Sequence, residues 1–411
     1  MRITRLEGEF SRPRSSAPAE AVREIVAEVR SGGDAAVRRL TERFDRAELG
    51  PEDLRVDPAE VEAAVGVLEP DVLRGLRTAI ANVRAVVEAQ LSPPSAVELP
   101  QGQRVEVTEQ PVRRVGLYVP GGRAPYPSTL VMLGVTAKAA GVDEVAVCAP
   151  PGPGGRASPV ILAACVLCEL NEVYRMGGAQ AIAALAYGTE SVQPVDVIAG
   201  PGNAWVQEAK RQVVGQVGID GIAGPSELAV LAAMDADPNL VALDLLAQAE
   251  HGEDSALWLI SPDAELLDAV GAAVERLAAD RPSAVAAELQ AVRAATLGEG
   301  LRLAEEIAPE HLQLVGEEAE ALADQVRFAG CVFVGAGAGT AFGDYVAGSN
   351  HVLPTGGAAR FQSSLSAATF RRRMARVSLP GEAPARLAPA GAALARAEGF
   401  PVHAESMERR A

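Results

Sequence analysis

Arg114-Val115-Gly116-Leu117-Tyr118-Val119-Pro120-Gly121-Gly122 decides the fold. An apolar run of this length that stops at Pro and Gly reads as a buried strand ending in a tight turn. A helical pattern from about Ser128 to Ala140 follows it. The same grammar then recurs along the chain. Glu144-Val145-Ala146-Val147-Cys148 leads through Pro150-Pro151-Gly152-Pro153-Gly154-Gly155 to a helix reaching Leu170. Glu172-Val173-Tyr174-Arg175-Met176-Gly177-Gly178 leads to a helix through Leu185, and Val195-Asp196-Val197-Ile198-Ala199-Gly200-Pro201-Gly202-Asn203 to one reaching Val214. Repeated β-loop-α units with apolar strands specify a parallel sheet covered on both faces. Ligands of such sheets bind outside the carboxyl ends of the strands, which is where these glycines lie.

A second series begins at Ser226-Glu227-Leu228-Ala229-Val230-Leu231 and passes through a helix opened by Asp237-Pro238. It continues with Ala256-Leu257-Trp258-Leu259-Ile260, a helix from Asp263 to about Ala279, Leu312-Gln313-Leu314-Val315 and Cys331-Val332-Phe333-Val334. The expected class is α/β: two Rossmann-like parallel-sheet domains facing one cleft, with helical N-terminal and small C-terminal segments. The first ninety residues read as mainly helical. Val22, Ile25, Val26 and Val29 fall at i, i+3, i+4, i+7, with Gly32-Gly33 as a stop and Asp34 as the next cap. The expected division is an N-terminal arm over 1–22, with Pro and Ser clustered at Ser11-Arg12-Pro13-Arg14-Ser15-Ser16. A discontinuous α/β domain covers 23–112 and 227–365, a second Rossmann-like domain covers 113–226, and a C-terminal segment covers 366–411.

Composition narrows the partners. At 411 residues and 48% hydrophobic the chain is large enough for more than one core. A formal charge of −17 would repel a phosphate backbone, so no nucleic-acid partner is expected and small molecules are favoured. Met1-Arg2-Ile3-Thr4-Arg5-Leu6-Glu7-Gly8-Glu9 lacks the apolar core of a signal peptide, and no uncharged apolar run reaches membrane-spanning length, so a cytoplasmic protein without a membrane partner is expected. Cys148, Cys165, Cys168 and Cys331 lie in apolar segments and read as core thiols; Cys165 and Cys168 have metal-like spacing but no second pair.

The residues that can carry chemistry are few. Lysine occurs only at Lys138 and Lys210, which leaves few candidates for a Schiff base. Each of the four histidines has a carboxylate or amide near it in sequence. Gln248 and His251, three apart near the end of the helix opened by Asp237-Pro238, leave one face and can converge on a ligand. A solvated helix end, with His favoured by the dipole, would use the same residues. Glu310-His311 sits between a helix and a strand; a carboxylic acid beside an imidazole can divide proton removal and water activation, although a solvated pair would also suit that position. Asp344 and His351 lie in the loop-like stretches Gly343-Asp344-Tyr345 and Ser349-Asn350-His351-Val352-Leu353-Pro354-Thr355-Gly356-Gly357. No run fits G-x-G-x-x-G after a strand, since Gly335-Ala336-Gly337-Ala338-Gly339-Thr340 fails at its sixth position. Glycines repeated at strand ends, with Tyr118, Gln180 and Asn203 beside them, nevertheless point to a shared nucleotide crevice.

In their order along the chain these segments resemble one family, the histidinol dehydrogenases. The matching stretches are Arg114 to Ser128, Tyr174 to Glu190, Gly200 to Asn203, Val217 to Glu227, Asp244 to His251, Pro309 to Gln313, Gly343 to Gly357 and Glu398 to His403. The resemblance implies that Gln248, His251, Asp344 and His403 are zinc ligands, with one Zn2+ per subunit that orients substrate. It implies Glu310 and His311 as the catalytic pair. Ser226, His351 and Glu398 become substrate contacts, joined by His311 and the ligand residues. Tyr118, Gln180 and Asn203 become contacts of NAD, which places the nucleotide on the 113–226 side and the metal on the other. The implied reaction is a four-electron oxidation of L-histidinol through the aldehyde to L-histidine, the last steps of histidine biosynthesis. A homodimer is implied too, completed by the C-terminal segment, with Glu398 and His403 contributed in trans. One departure stands out: Ala336 to Phe342 is small and Gly-rich where the family commonly has a Thr-Pro-Glu-type segment. Two other readings fit parts of the pattern. One is a related zinc and NAD dehydrogenase acting on another small primary alcohol; the other is a catalytically silent metal-binding or scaffold protein, which the Glu310-His311 pair speaks against.

Overall fold

The computed structural model describes residues 2–11, 18–121, 124–284 and 287–411. Most of the expected Ser11–Ser16 cluster, and Gly122, lie outside the described residues. The chain divides into two compact units: Met1–Ala89 with Arg113–Phe370, and Gln90–Val112 with Arg371–Ala411.

The larger unit is built on two wholly parallel sheets. The five-stranded sheet uses β4 (Arg114–Tyr118), β5 (Glu144–Ala149), β6 (Glu172–Arg175), β7 (Val197–Ala199) and β8 (Gly218–Ile219), in the order β6-β5-β4-β7-β8. The six-stranded sheet uses β1 (Arg2–Glu7), β9 (Glu227–Ala232), β10 (Ala256–Ser261), β11 (Glu288–Arg293), β12 (His311–Val315) and β13 (Cys331–Val334), in the order β1-β11-β10-β9-β12-β13. Every residue of β4, β9, β10 and β12 is buried, which is why β10, and β4 and β9 after their first residues, read as apolar runs, while β12 also buries His311 and Gln313. Both sheets share one winding. The founding strand, β4 or β9, lies in the middle; the next two strands stack on one side and the following two on the other. A crevice therefore opens between β4 and β7 and between β9 and β12, the points where winding reverses.

Three expectations are corrected. The stretch read as an N-terminal arm supplies a strand, β1, which pairs in parallel with β11 from Arg2↔Glu288 to Glu7↔Arg293. Helix Ala19–Asp45 also begins inside the range given to the arm. The helical N-terminal region, grouped by sequence with the six-stranded half, instead packs on the five-stranded sheet: Val22, Ile25, Val26 and Val29 share a core with Tyr118, Ala146 and Ile198. The chain from 95 to 111 belongs to neither parallel sheet, because its strands pair with the C-terminal segment.

That pairing forms the smaller unit. Strands β2 (Ser95–Glu98), β3 (Arg104–Pro111) and β14 (Arg371–Ser378) make an antiparallel sheet in the order β14-β3-β2. Helices Ala383–Ala397 and Pro401–Glu408 follow, joined by a core of Ala392, Ala395 and Ala404 with Met407 against it. The four cysteines are free thiols, three of them buried. Among the described residues no helix is long and apolar enough to cross a membrane.

Candidate active site

The helix Pro238–Ala249 starts where the sequence says it should. Asp237 accepts from the Asn239 N–H at 2.8 Å, and Pro238 takes the first turn. A β-α-β crossover carries the chain back along the sheet, so the end of this helix returns to the amino ends of the strands. Gln248 sits in its last turn, 1% exposed, and neither side-chain Nε2 nor Oε1 has a hydrogen-bond partner among the described residues. An orphaned buried amide costs about 1–3 kcal/mol unless a ligand satisfies it. His251 lies one turn on, just past the helix, its N–H bonded to the Gln248 carbonyl at 3.3 Å. Its Nε2 is 3.7 Å from Asp344 Oδ2.

Asp344 reaches this point from the short helix Thr340–Tyr345. In the Gly-rich stretch before it, Gly339 has a local reason: a Cβ there would lie 2.8 Å from Asp244 Oδ1. Asp244, one turn before Gln248, accepts from Gln313 Nε2 at 2.7 Å. Gln313 is two residues beyond His311 and therefore on the same face of β12. This contact ties the helix of Gln248 to the strand of His311.

Glu310 and His311 stand at the amino end of β12, both buried. The His311 Nδ1 lies 3.2 Å from the Glu227 carbonyl and 3.8 Å from Glu310 Oε2. With Nδ1–H donating to that carbonyl, Nε2 is left as the proton acceptor, 3.9 Å from Asp344 Oδ1. Burial pushes the His311 imidazole down to about 4, against the pull of Asp344, so it is neutral at neutral pH. Burial also holds the Glu310 carboxyl well above the usual carboxylate range, with the Glu227 and Asp344 charges adding to it. Asp344 behaves oppositely. Burial raises its carboxyl, but the bond to His251 and the His311 and His351 rings outweigh burial and hold it low.

His351 closes the same wall. Its Nδ1 is 2.8 Å from the Asp344 carbonyl, and its Nε2 is 3.1 Å from Thr129 Oγ1 on helix Pro127–Ala139. Ser226, His251, Glu310, His311, Asp344 and His351 line one cleft of about 920 Å³, whose opposite wall, including Thr129 and Asn203, comes from the five-stranded half.

A second cleft, about 890 Å³, adjoins it through Pro120, Gly121 and Asn203 and contains Tyr118, Gln180 and Trp205. It opens over the carboxyl ends of β4 and β7. Asn203 caps helix Ala204–Val213, accepting from Trp205 and Val206 N–H groups at 3.1 and 3.2 Å. Tyr118 Oη accepts the Gly178 N–H at 3.1 Å at the start of helix Gly178–Tyr187. Gly200 is required by contact, since a Cβ there would meet the Tyr118 carbonyl oxygen at 2.0 Å. The carboxyl-end rule thus describes the five-stranded half only. In the six-stranded half the polar cluster lies at the amino ends of β9 and β12.

The sequence-derived residues divide between the two units. Gln248, His251, Glu310, His311, Asp344, His351 and Ser226 come together in the larger one. Glu398 and His403 belong to the smaller unit, where both are exposed and His403 stacks on Phe400 with ring centroids 5.3 Å apart. Among the described residues no three His, Cys, Asp or Glu side chains form a metal cluster. The larger unit's donors are one imidazole, one carboxylate and one orphaned amide, a mixed N/O set that fits zinc once a further ligand joins it. Lys210 is no Schiff-base candidate: it is buried against Asp220, with Nζ 3.0 Å from the Gly200 carbonyl. Glu227, to which the sequence alone assigns no role, contacts both Glu310 and His311.

Fold and site define a class: a doubly wound two-sheet oxidoreductase with a histidine and carboxylate cluster beside a nucleotide-sized cleft. The histidinol dehydrogenase family model matches residues 11–411, and the chain belongs to that family. Histidinol dehydrogenase of Synechococcus sp. is 46% identical over 396 residues, covering 95% of this chain and 91% of that protein. That of Zymomonas mobilis subsp. mobilis is 43% identical over 413 residues, covering 98% and 93%. The crystal structure of histidinol dehydrogenase from Elizabethkingia anophelis superposes with a TM-score of 0.93 at 30% identity, covering all of this chain and 98% of that one.

Proposed function

We propose that the chain oxidises L-histidinol to L-histidine by way of the aldehyde, a four-electron reaction that uses NAD twice. The observation that carries this reading is the neutral, buried His311. Its Nδ1 is committed to the Glu227 carbonyl and its Nε2 faces the cleft next to His251, Asp344 and the orphaned Gln248 amide.

Gln248, His251 and Asp344, with His403 of the partner subunit, would hold zinc; Tyr118, Gln180 and Asn203 would hold NAD. When bound, these groups supply a fixed anchor for the substrate's imidazole and amine and an acceptor for two electrons in each half-reaction. His311 Nε2 takes the hydroxyl proton as the first oxidation proceeds. His311 releases that proton to solvent, Glu310 takes a proton from the water that adds to the aldehyde, and the deprotonated His311 Nε2 takes the hydrate's hydroxyl proton during the second oxidation. Ser226 and His351 position the substrate from the cleft walls, while Glu398 of the partner subunit balances its amine. The exposure of Glu398 and His403 on a unit of their own supports a homodimer in which each copy completes the other's site. Mixing a His311→Asn chain with a His403→Asn chain tests this arrangement. Recovery of up to about a quarter of wild-type activity in the mixture supports exchange; no recovery overturns it.

A further inference from the structure

One carboxylate in the nucleotide cleft has no part in the scheme above. Asp45 ends helix Ala19–Asp45 and lines the cleft with Tyr118, Gln180 and Trp205; among the described residues of that lining it is the only acid, and Arg156 the only cation. Its side-chain contact is long, 3.4 Å from Gln180 Nε2 to Asp45 Oδ2. Gln180 itself is buried, at 1% exposure.

The position is a poor one for a carboxylate. The carbonyl end of a helix repels negative charge, and burial raises this carboxyl to about 6. A charge held at a cost and facing a cleft is more economically explained by a ligand than by the fold. The surroundings say which ligand. Phe44, the preceding residue, and Trp205 lie with ring centroids 6.4 Å apart and offer an aromatic face at the cleft mouth. The start of helix Gly178–Tyr187, where the Gly178 N–H is taken by Tyr118 Oη, borders the same cleft, and a helix N-terminus favours phosphate. Asp45 lines the same cleft as these features, and a carboxylate between a base-stacking face and a phosphate-favouring helix start suits the sugar that joins base to phosphate.

We propose that Asp45 accepts the hydroxyls of the nucleotide's ribose and makes the cleft reject a dinucleotide bearing a 2′-phosphate. The inference rests on the NAD reading above. A carboxylate can take both hydroxyls of a vicinal diol at once, and the same charge would face the two charges of a 2′-phosphate.

Binding of NADH and NADPH, followed by nucleotide fluorescence at pH 8 without histidinol, tests the assignment in wild type, Asp45→Asn and Asp45→Glu. Wild type should bind NADH at least about tenfold more tightly than NADPH, and Asp45→Asn should lose about tenfold for NADH while NADPH binding holds or improves. Asp45→Glu, which keeps the charge, should retain discrimination against NADPH. Melting at the same pH should show Asp45→Asn no less stable than wild type, which separates a ligand role from a structural one. Wild-type selectivity persisting in Asp45→Asn overturns the proposal, as does tighter NADPH binding by wild type, which would assign the phosphate to Arg156. Absence of any NADH binding by wild type instead overturns the NAD reading on which it rests.

Discussion

The N–H of Glu227 donates to Glu310 Oε2 at 2.9 Å, and the N–H of Glu310 donates back to Glu227 Oε2 at 3.3 Å. This exchange occurs at the amino ends of the adjacent strands β9 and β12. The Glu227 carbonyl also holds His311, and Glu227 Oε1 accepts the Gly356 N–H at 3.1 Å from the loop that carries His351. One residue thus anchors both members of the proposed catalytic pair. Glu227→Gln keeps the shape but removes a charge that helps raise Glu310, so the Glu310 carboxyl should fall. The acidic limb of the rate profile for aldehyde oxidation should then move to lower pH, with turnover reduced about tenfold, or about 1.4 kcal/mol. A limb that stays in place would remove Glu227 from the account.

His311→Asn should lower turnover by about 10²–10⁴-fold, the usual contribution of a positioned base. Bound zinc, measured by elemental analysis, should be unchanged because His311 is not among the proposed ligands. Near-wild-type turnover would refute its role.

Gln248→Ala and His251→Asn should lower zinc content and turnover together. Since the Gln248 amide has no hydrogen-bond partner among the described residues, its truncation breaks no protein hydrogen bond and should cost the metal-free protein less than the roughly 1–3 kcal/mol of leaving a buried partner unsatisfied. Full zinc occupancy in Gln248→Ala would contradict the ligand assignment.

His311 also predicts how stability changes with pH. Its imidazole titrates at about 4 in the fold against 6.5 when free, because burial disfavours the charge. The unfolded chain therefore binds the proton more readily, and this contribution to stability declines as pH falls from about 6.5 toward 4. The scale is a few kcal/mol at most. Denaturant titrations of metal-free protein should show a shallower acid loss in His311→Asn than in wild type, and equal slopes would contradict this burial effect.

Much of the fold was legible because its strands are buried on both faces. Runs such as Arg114–Tyr118 and Ala256–Ser261 need no register to be recognised. β11 was missed because Glu288-Leu289-Gln290-Ala291-Val292-Arg293 is composed largely of good helix formers, and only pairing with β1 and β10 makes it a strand. β1 was missed for a related reason, since its partner lies far along the chain. The resemblance already implied that Gln248, His251, Asp344, Glu310 and His311 share one site, and they line or border one cleft. The location of that site at the amino ends of β9 and β12 was not legible, because it depends on which strand follows which across the winding reversal. Glu227 was hidden by acting mainly through its backbone, and Asp45 by ending a surface-like helix with no motif around it.

The central claim is two successive oxidations in one site. It is tested most directly by the amount of NADH formed when zinc-loaded enzyme, with excess NAD, consumes a limiting quantity of L-histidinol to completion. The account predicts two NADH per histidinol, with L-histidine as the product. One NADH per histidinol with aldehyde accumulating, or no NADH at all, would contradict it.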